Sequence, residues 1–190
     1  MKIKHLLCGL LAFILLSSAI VSAEGVKSYD WYFKPNKENK KPQVIPEAMG
    51  FIDNYDTYYY AKGDDKVLYL TFDAGFDNGY HEPILNTLKE KGVKAAFFVD
   101  GNFVKKNPEL AKRIVSDGHL LCNHSLSHPD TSKISDFEKY KEQLDGWQKI
   151  AEETVGQTLP KIFRPPMGKF SETSLKWSKE LGYITVFWSF

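Results

Sequence analysis

The chain has 190 residues, of which 43% are apolar and 14% aromatic; this composition is typical of a globular domain and excludes a disordered chain. Its 25 basic residues nearly balance its 24 acidic residues, and no basic stripe or base-stacking motif stands out, so nothing indicates a nucleic-acid partner. No segment of the sequence points to a protein partner either.

The first 23 residues have the pattern of a secretory signal peptide. Lysines at positions 2 and 4 precede an uncharged apolar stretch over residues 6–16. Small residues follow, with Val21 and Ala23 at the −3 and −1 positions of a cleavage site. We predict cleavage after Ala23 and a protein that is secreted or associated with the cell wall or membrane. An uncleaved membrane anchor is the alternative, although the apolar stretch is shorter than the ~20 residues of a spanning helix.

Residues 24–66 form a lead-in segment of mixed character. Residues 34–42 are polar and include two prolines, which is typical of a solvated loop. Residues 51–60 instead contain five aromatic side chains: Phe51, Tyr55, Tyr58, Tyr59 and Tyr60. We interpret this cluster as an apolar flap over the end of a barrel, because aromatic side chains bury large areas wherever they lie. A sugar-stacking surface is the less favoured alternative.

From residue 66 onward, predicted strands and helices alternate. Strands are predicted over residues 66–72, 93–99, 119–122, 162–163 and 184–190, and helices over residues 82–91, 103–116, 135–153 and 172–181. Ser135 is the predicted N-cap of the longest helix, and Gly156 follows its end. Five strands separated by helices indicate a parallel α/β barrel. In that barrel the strand over residues 184–190 requires a sixth strand on its free side, without which an apolar edge is open.

The strand over residues 66–72 is followed directly by Asp73. Residues 67–72 show almost no polar alternation, which predicts a strand buried on both faces of a helix-covered parallel sheet. In such folds ligands bind at the carboxyl ends of the strands, so Asp73 is a candidate catalytic group. The alternative is that Asp73 only caps the turn before Gly75, as aspartate often does.

Two later segments also run from apolar to polar residues. Residues 120–128 carry His124 and His128, and residues 162–168 place Arg164 at the start of a stiff turn with two prolines. Imidazoles four residues apart can face the same way on one helical turn, which suits a divalent metal ion such as zinc.

These three segments resemble the motifs of the polysaccharide deacetylase family, which is built on the NodB homology domain. The family patterns T-F-D-D-G, H-[S/T]-x-x-H and R-P-x-x-G correspond, in this order, to Thr71–Gly75, His124–His128 and Arg164–Gly168. The sequence is most similar to the subgroup of PdaA-like N-acetylmuramic acid deacetylases of spore cortex peptidoglycan. That subgroup shares T-F-D-A-G and an aromatic and basic lead-in like Asp30–Lys34.

The resemblance implies a fold and an activity. The fold would be a distorted (β/α)7 TIM-like barrel of the NodB type, of which residues 67–190 supply about five β/α units. The activity would be hydrolysis of N-acetyl groups on a polysaccharide, most closely on the muramic acid residues of peptidoglycan. Two later family motifs, one with an aspartate near a tryptophan and one with a general-acid histidine, have no counterpart before residue 190. The resemblance therefore implies a C-terminally truncated domain.

The resemblance also assigns roles to individual residues. Asp73 would be the base that takes a proton from the attacking water, and Arg164 would hold its carboxylate in place. His124 and His128 would bind a divalent metal ion, zinc or similar. The family's third metal ligand is the second aspartate of T-F-D-D-G, and Ala74 stands there in this chain. Two imidazoles without a carboxylate make a weak site, so we expect the ion to be loosely held, completed by water ligands, or absent in some states. Asp77 or Asn78 in the following turn are alternative ligands, although a turn-forming role is more typical of both.

Four further motif residues would orient the imidazoles or support the substrate. They are Asn123, Ser125, Pro165 and Gly168. His81 and His119 lie outside the motifs, and we interpret both as structural residues.

Two other functions stay open at this point. One is deacetylation of chitin-like or other N-acetylated glycans, which the motifs do not distinguish from a peptidoglycan enzyme. The other is a truncated, non-catalytic glycan-binding remnant, which Ala74 and the absent acid motif favour. An N-acetylated glycan is the expected partner in every case.

Overall fold

The computed structural model describes residues 26–35, 40–61 and 66–189, so the predicted signal peptide over residues 1–23 lies outside it. The described strands are β1 (Tyr29–Asp30), β2 (Phe33–Lys34), β3 (Gln43–Val44), β4 (Thr57–Tyr58), β5 (Leu70–Ala74), β6 (Ala95–Val99), β7 (Leu120–Asn123), β8 (Ile162–Phe163), β9 (Lys169–Phe170) and β10 (Ile184–Val186). The described α-helices are α1 (His81–Glu90), α2 (Gly101–Lys106), α3 (Pro108–Ser116), α4 (Phe137–Val155) and α5 (Glu172–Glu180). Short 3-10 helices cover Pro46–Ala48, Ile52–Asn54, Thr131–Lys133 and Pro166–Gly168.

Six strands form one parallel sheet in the order β4-β10-β8-β7-β6-β5. From β5 onward each strand of this sheet is separated from the next by one or two helices. This alternation confirms the predicted fold class, a (β/α) barrel architecture represented by about five β/α units. Because parallel strands end at the same edge of a sheet, the segments after β5, β7 and β8 meet there. No helix in the described ranges has the length and apolar character that crossing a membrane requires.

The sixth strand comes from the lead-in segment. β4 pairs in parallel with β10, in the register Thr57 with Thr185 and Tyr58 with Val186. The Phe187 N–H also donates to the Tyr58 carbonyl at 2.8 Å. The expectation that the strand after residue 184 lacks a second neighbour is therefore wrong. A two-residue strand has no hydrophobic period, so the sequence pattern could not predict it.

β5 is an edge strand, and this changes the burial predicted for it. Among the described strands it pairs with β6 alone, and it begins at Leu70 and includes Asp73 and Ala74. Val67, Leu68 and Tyr69, which precede it, are 53%, 71% and 70% exposed. The prediction of a strand over residues 66–72 buried on both faces is thus wrong. Residues 66–69 precede the strand, Leu70 is 36% exposed, and Phe72 is only partly buried.

Two predicted helix boundaries also differ from those in the structure. The helix predicted over residues 103–116 is two helices, α2 and α3, with Asn107 between them. Pro108 has no N–H to continue α2, and it fits the first turn of α3. The N-cap of α4 is Asp136, whose carboxylate accepts from the Lys139 N–H at 2.9 Å, and not Ser135. Gly156 ends α4 as predicted, in the left-handed conformation.

The main core lies between the sheet and helices α1 to α4. It is built from fully buried side chains of these elements, among them Leu85, Phe97, Val99, Phe103, Val104, Ile114, Leu121 and Trp147. Burying a side chain of this size stabilises the fold by roughly 1.5 to 3 kcal/mol. The core therefore fixes the strand ends from which the polar residues project.

A second core, which we call the aromatic core, joins the lead-in to the end of the chain. Its buried members are Trp31, Val44, Ile45, Ala48, Ile52, Tyr59, Phe170, Leu175 and Phe187, and Phe51, Tyr55 and Tyr60 pack against it. Four of the five aromatic side chains of residues 51–60 thus pack in or against this core, whereas Tyr58 is 48% exposed. The ring of Trp31 stacks on that of Phe187, with centroids 4.3 Å apart and planes 13° apart.

Gly168 lies where the lead-in meets the turn after β8. Its φ is +66°, and a Cβ atom at this position would lie 2.6 Å from the Trp188 ring and 3.1 Å from the Trp31 Cβ. Glycine is therefore required here twice, for its conformation and for its size.

Gly168→Ala is expected to lower the free energy of unfolding by at least about 2 kcal/mol. A left-handed alanine costs about 1 kcal/mol, and a Cβ forced against two tryptophans adds about 1 to 3 kcal/mol. Gly156→Ala is the matched control, since Gly156 has φ of +74° and no atom within 4 Å of an added Cβ. Urea unfolding of both variants separates the two effects. An equal decrease in the free energy of unfolding in both variants would show that the two tryptophans move to accommodate the added Cβ at no measurable cost.

His119 is a buried histidine with a structural role, as predicted. Its Nδ1 accepts from the Ala95 N–H at 3.3 Å, and its ring packs against Phe97 at a centroid distance of 5.5 Å. Burial lowers the pKa of His119 below its ordinary value.

This lowered pKa predicts acid sensitivity. The unfolded chain binds a proton near pH 6.5 that folded His119 does not, so its contribution to stability is complete above about pH 6.5 and declines as the pH falls below it. His119→Asn, whose Oδ1 can still accept from the Ala95 N–H, should reduce this decline. Unfolding free energies at about pH 7.5 and about pH 5.5 measure it. The same decline in both proteins would contradict the assignment.

Candidate active site

The site is organised around the buried side chain of Arg164, which follows β8 and is 3% exposed. Its Nη1 donates to Asp73 Oδ1 at 2.7 Å and to Thr71 Oγ1 at 3.0 Å. Its Nε and Nη2 donate to the carbonyl oxygens of Val186, at 3.2 Å, and Phe187, at 3.3 Å. In sheet order β5 and β10 are separated by three strands. Arg164 therefore bridges the sheet from β5 to the end of β10.

Asp73 lies on β5 with its side chain 39% exposed. The carboxylate thus contacts a buried cation on one side and solvent on the other. Burial lowers the pKa of the Arg164 guanidinium, and the nearby Asp73 carboxylate opposes this effect. A charge-assisted bond of this kind fixes the direction of the carboxylate. Asp73 is therefore placed to accept a proton from a group on its solvent side.

Aromatic rings enclose the guanidinium group of Arg164. Its central carbon lies 4.1 Å from the centroid of the Phe98 ring and 5.6 Å from that of Trp188. Such rings stabilise a cation through their π faces while excluding water. The ion pair with Asp73 is thus screened less than a surface pair would be.

His124 is 4% exposed and is held by the backbone of Arg164. Its Nδ1 lies 2.8 Å from the Arg164 carbonyl oxygen. Because a carbonyl oxygen only accepts, Nδ1 carries the proton and Nε2 keeps a free lone pair. Burial lowers the pKa of His124, with the Asp73 charge opposing it, and this favours the neutral imidazole that a metal ion needs.

His128 faces His124, with ring centroids 5.0 Å apart in an edge-on arrangement. The two residues do not lie on a helical turn, so that part of the prediction is wrong. They lie on a loop in which Ser125 has φ of +69° and His128 has φ of +58°. Left-handed conformations of residues other than glycine are unfavourable and are often found at functional sites.

Side chains predicted to orient the imidazoles hold this loop in place. Asn123 Oδ1 accepts from the Ser125 N–H at 2.8 Å, and Asn123 Nδ2 donates to the Leu144 carbonyl at 2.9 Å. Ser125 Oγ accepts from the His128 N–H at 2.9 Å. Asn123 and Ser125 thus compensate the strained backbone and fix the position of both histidines.

The histidine pair matches only part of a metal site. Ala74 occupies the position of the family's third ligand and is buried in the main core. Within the described ranges, no group of three histidine, cysteine, aspartate or glutamate side chains is placed to hold a metal ion. The side chains present therefore fit a divalent ion held by two imidazoles and completed by water, and do not fit a three-ligand protein site.

The turn after Arg164 includes Pro165 and Gly168, the other two residues predicted to support the site. Both are buried, and the Gly168 N–H donates to the Pro165 carbonyl at 3.1 Å. Between them Met167 has φ of +60° and is 51% exposed. The turn thus closes tightly behind Arg164 while one strained residue projects to solvent.

A cavity of about 240 Å³ lies beside Asp73. It is lined by residues of β5, the following turn and α1, including Gly75, Phe76 and Tyr80. Asp77 accepts from the Gly79 N–H and pairs with His81 at 2.8 Å, and this bond lowers the pKa of Asp77. His81 is therefore structural, as predicted, and Asp77 shapes the turn.

Sequence reasoning missed the groups that position Arg164. Thr71 belongs to a recognised motif but had no assigned role, and the carbonyls of Val186 and Phe187 carry no side-chain signature. Trp31, whose indole N–H donates to the Trp188 carbonyl at 2.9 Å, lies far away in sequence. Its only signal was the aromatic lead-in.

Comparison with known proteins now adds an independent finding. Residues 60–186 match the family model Polysaccharide deacetylase. The chain is 39% identical over 181 residues to the peptidoglycan-N-acetylmuramic acid deacetylase PdaA of Bacillus subtilis (strain 168), covering 94% of this chain and 68% of that protein. It is 40% identical over 120 residues to a peptidoglycan-N-acetylglucosamine deacetylase of Bacillus cereus, covering 63% of this chain and 43% of that protein.

The fold agrees with these sequence matches. The solved structure of Bacillus subtilis PdaA, a family 4 carbohydrate esterase, superposes with a TM-score of 0.81 and 38% identity, covering 86% of this chain and 69% of that chain. The chain therefore belongs to the polysaccharide deacetylase family, a family of hydrolases that includes peptidoglycan deacetylases.

Proposed function

We propose that this protein removes the N-acetyl groups of muramic acid residues in peptidoglycan, including that of the spore cortex, outside the cytoplasmic membrane. The observation that carries the proposal is the Asp73 carboxylate held at 2.7 Å by buried Arg164, next to the His124 and His128 pair. The signal peptide predicted over residues 1–23 supports an extracytoplasmic site of action.

The chemistry follows from what an amide requires. Its carbonyl is a poor electrophile, so water attacks it only with the help of a base and of a group that stabilises the developing oxyanion. Asp73 takes the proton of the attacking water while Arg164 keeps the carboxylate directed at it. The oxygen of the water bonds to the acetyl carbon, the C–N bond breaks, and the proton held by Asp73 passes to the leaving amine, which gives acetate and the free amino sugar. A divalent ion such as zinc, bound by His124 and His128, would supply Lewis acidity at the acetyl carbonyl and the water.

The choice of muramic acid rests on the extent of similarity. The match to an N-acetylmuramic acid deacetylase covers 94% of this chain, whereas the match to an N-acetylglucosamine deacetylase covers 63%. The lead-in segment is thus shared with the first relative, and part of that segment packs against the site through the aromatic core. A glycan-binding remnant is the second candidate, and the observation that favours it is that the described residues offer two histidines and no third side chain to hold a metal ion.

Asp73→Asn is expected to lower acetate release from peptidoglycan by about 10² to 10⁴, because the amide has nearly the same shape but accepts no proton. The assay compares peptidoglycan, chitooligosaccharide and an enzyme-free blank, and the deacetylated sugar is identified as muramic acid. Asp53→Asn, which changes a surface carboxylate paired with Lys41, is the matched control.

Each other outcome has a definite meaning. Full activity of Asp73→Asn would remove Asp73 from the role of base. Release from chitooligosaccharide alone would favour a chitin-like substrate. No release from either glycan, with retained binding to one, would favour the remnant.

Ala74→Asp is expected to raise the affinity for zinc, because it supplies the carboxylate that the family pattern has at this position. Ala74 is the last residue of β5 and is 9% exposed, so its side chain lies at the rim of the main core. Competition with a chelating dye measures the affinity, and the His124→Ala, His128→Ala double variant provides the baseline. Unchanged affinity would show that a side chain at position 74 is directed into the main core and not toward the histidines.

A further inference from the structure

We propose that Trp31, in the lead-in segment, is a positioning residue that sets the place of Arg164 and through it the direction of Asp73. The proposal rests on the proposed function in one respect, the role of Asp73 as the base. The family model matches residues 60–186, so Trp31 lies outside the region that it describes.

Backbone carbonyls near the end of β10 hold the guanidinium group of Arg164. Two of its donors, Nε and Nη2, are bonded to the backbone carbonyls of Val186 and Phe187. β10 ends at Val186, so the first carbonyl belongs to its last residue and the second to the residue after it. The pairing of β10 with β4 holds Val186 and the Phe187 N–H, so the Phe187 carbonyl depends in addition on what fixes the chain after β10.

Trp31 contacts the segment that follows β10. Its indole N–H donates to the Trp188 carbonyl at 2.9 Å, and its ring stacks on Phe187 at 4.3 Å. Trp31 itself is 6% exposed. One side chain thus holds both residues that follow β10, by a directed bond and by a flat stack.

Trp31 also contacts the turn that follows Arg164. Its backbone N–H donates to the Gly168 carbonyl at 2.9 Å, at the end of the turn that Arg164 begins. Gly168 is packed between Trp31 and Trp188 with no room for a Cβ atom. Trp31 therefore joins the two segments that carry the guanidinium group and its backbone acceptors.

A buried tryptophan could also act through packing alone, and the variant must separate these roles. Trp31→Phe keeps an aromatic ring on Phe187 and the backbone N–H to Gly168, and removes the indole N–H. Leu175→Val is the matched control, because Leu175 is fully buried in the same aromatic core and makes no hydrogen bond through its side chain.

The main readout is the Arg164 Nε–H signal in ¹⁵N NMR spectra of the whole chain. The sequence contains two arginines, so Arg113, which pairs with Asp117 at the surface, serves as the internal reference. We expect the exchange of the Arg164 Nε–H with solvent to accelerate by at least about tenfold in Trp31→Phe and to stay unchanged in Leu175→Val. Each variant is measured at the same interval below its own melting temperature, so that a difference in overall stability does not affect the comparison.

Acetate release is the second readout. In Trp31→Phe we expect kcat to fall by about ten- to a hundredfold with little change in KM, since a misdirected base affects the transition state more than substrate binding. Unchanged Arg164 exchange in Trp31→Phe, or equal acceleration in Leu175→Val, would overturn the proposal. Absence of acetate release from the unmodified protein would refute the proposed function and leave the NMR comparison decisive for Trp31.

Discussion

A guanidinium group that is 3% exposed cannot rely on water to stabilise its charge, and an unpaired buried charge is strongly destabilising. Arg164 is stabilised by four oxygen acceptors, on Thr71, Asp73, Val186 and Phe187. Two come from β5 and two from the end of β10, so satisfying one cation requires distant strands of the sheet to keep a fixed separation. The relative position of these strand ends and the direction of the proposed base thus depend on the same cation.

Much of the fold follows from patterns that the sequence displays. The strands β6, β7 and β8 and the helices α1, α4 and α5 have the expected periods, and each was predicted to within a few residues. The break before Pro108 has a sequence signal as well, because proline cannot continue a helix. β4 has none, since Thr57 and Tyr58 form a strand only because β10 offers them unpaired backbone groups.

The site divides in the same way. Asp73, Arg164 and the two histidines were predicted because their side chains carry recognisable chemistry at motif spacing. The left-handed backbone of Ser125 and His128 was not, since no glycine or asparagine marks these positions. Nor could the place of Trp31 be predicted, because its partners are the Trp188 carbonyl oxygen, 157 residues away in sequence, and the ring of the preceding residue, Phe187. Backbone acceptors leave no trace in a pattern of side chains.

The bond from His124 to the Arg164 carbonyl means that one residue serves both halves of the site by two different chemical groups. The guanidinium belongs to the side chain and directs the carboxylate, whereas the carbonyl belongs to the main chain and seats the imidazole. A substitution at position 164 therefore removes the hydrogen-bond partner of the carboxylate and leaves the main-chain carbonyl that accepts from the imidazole.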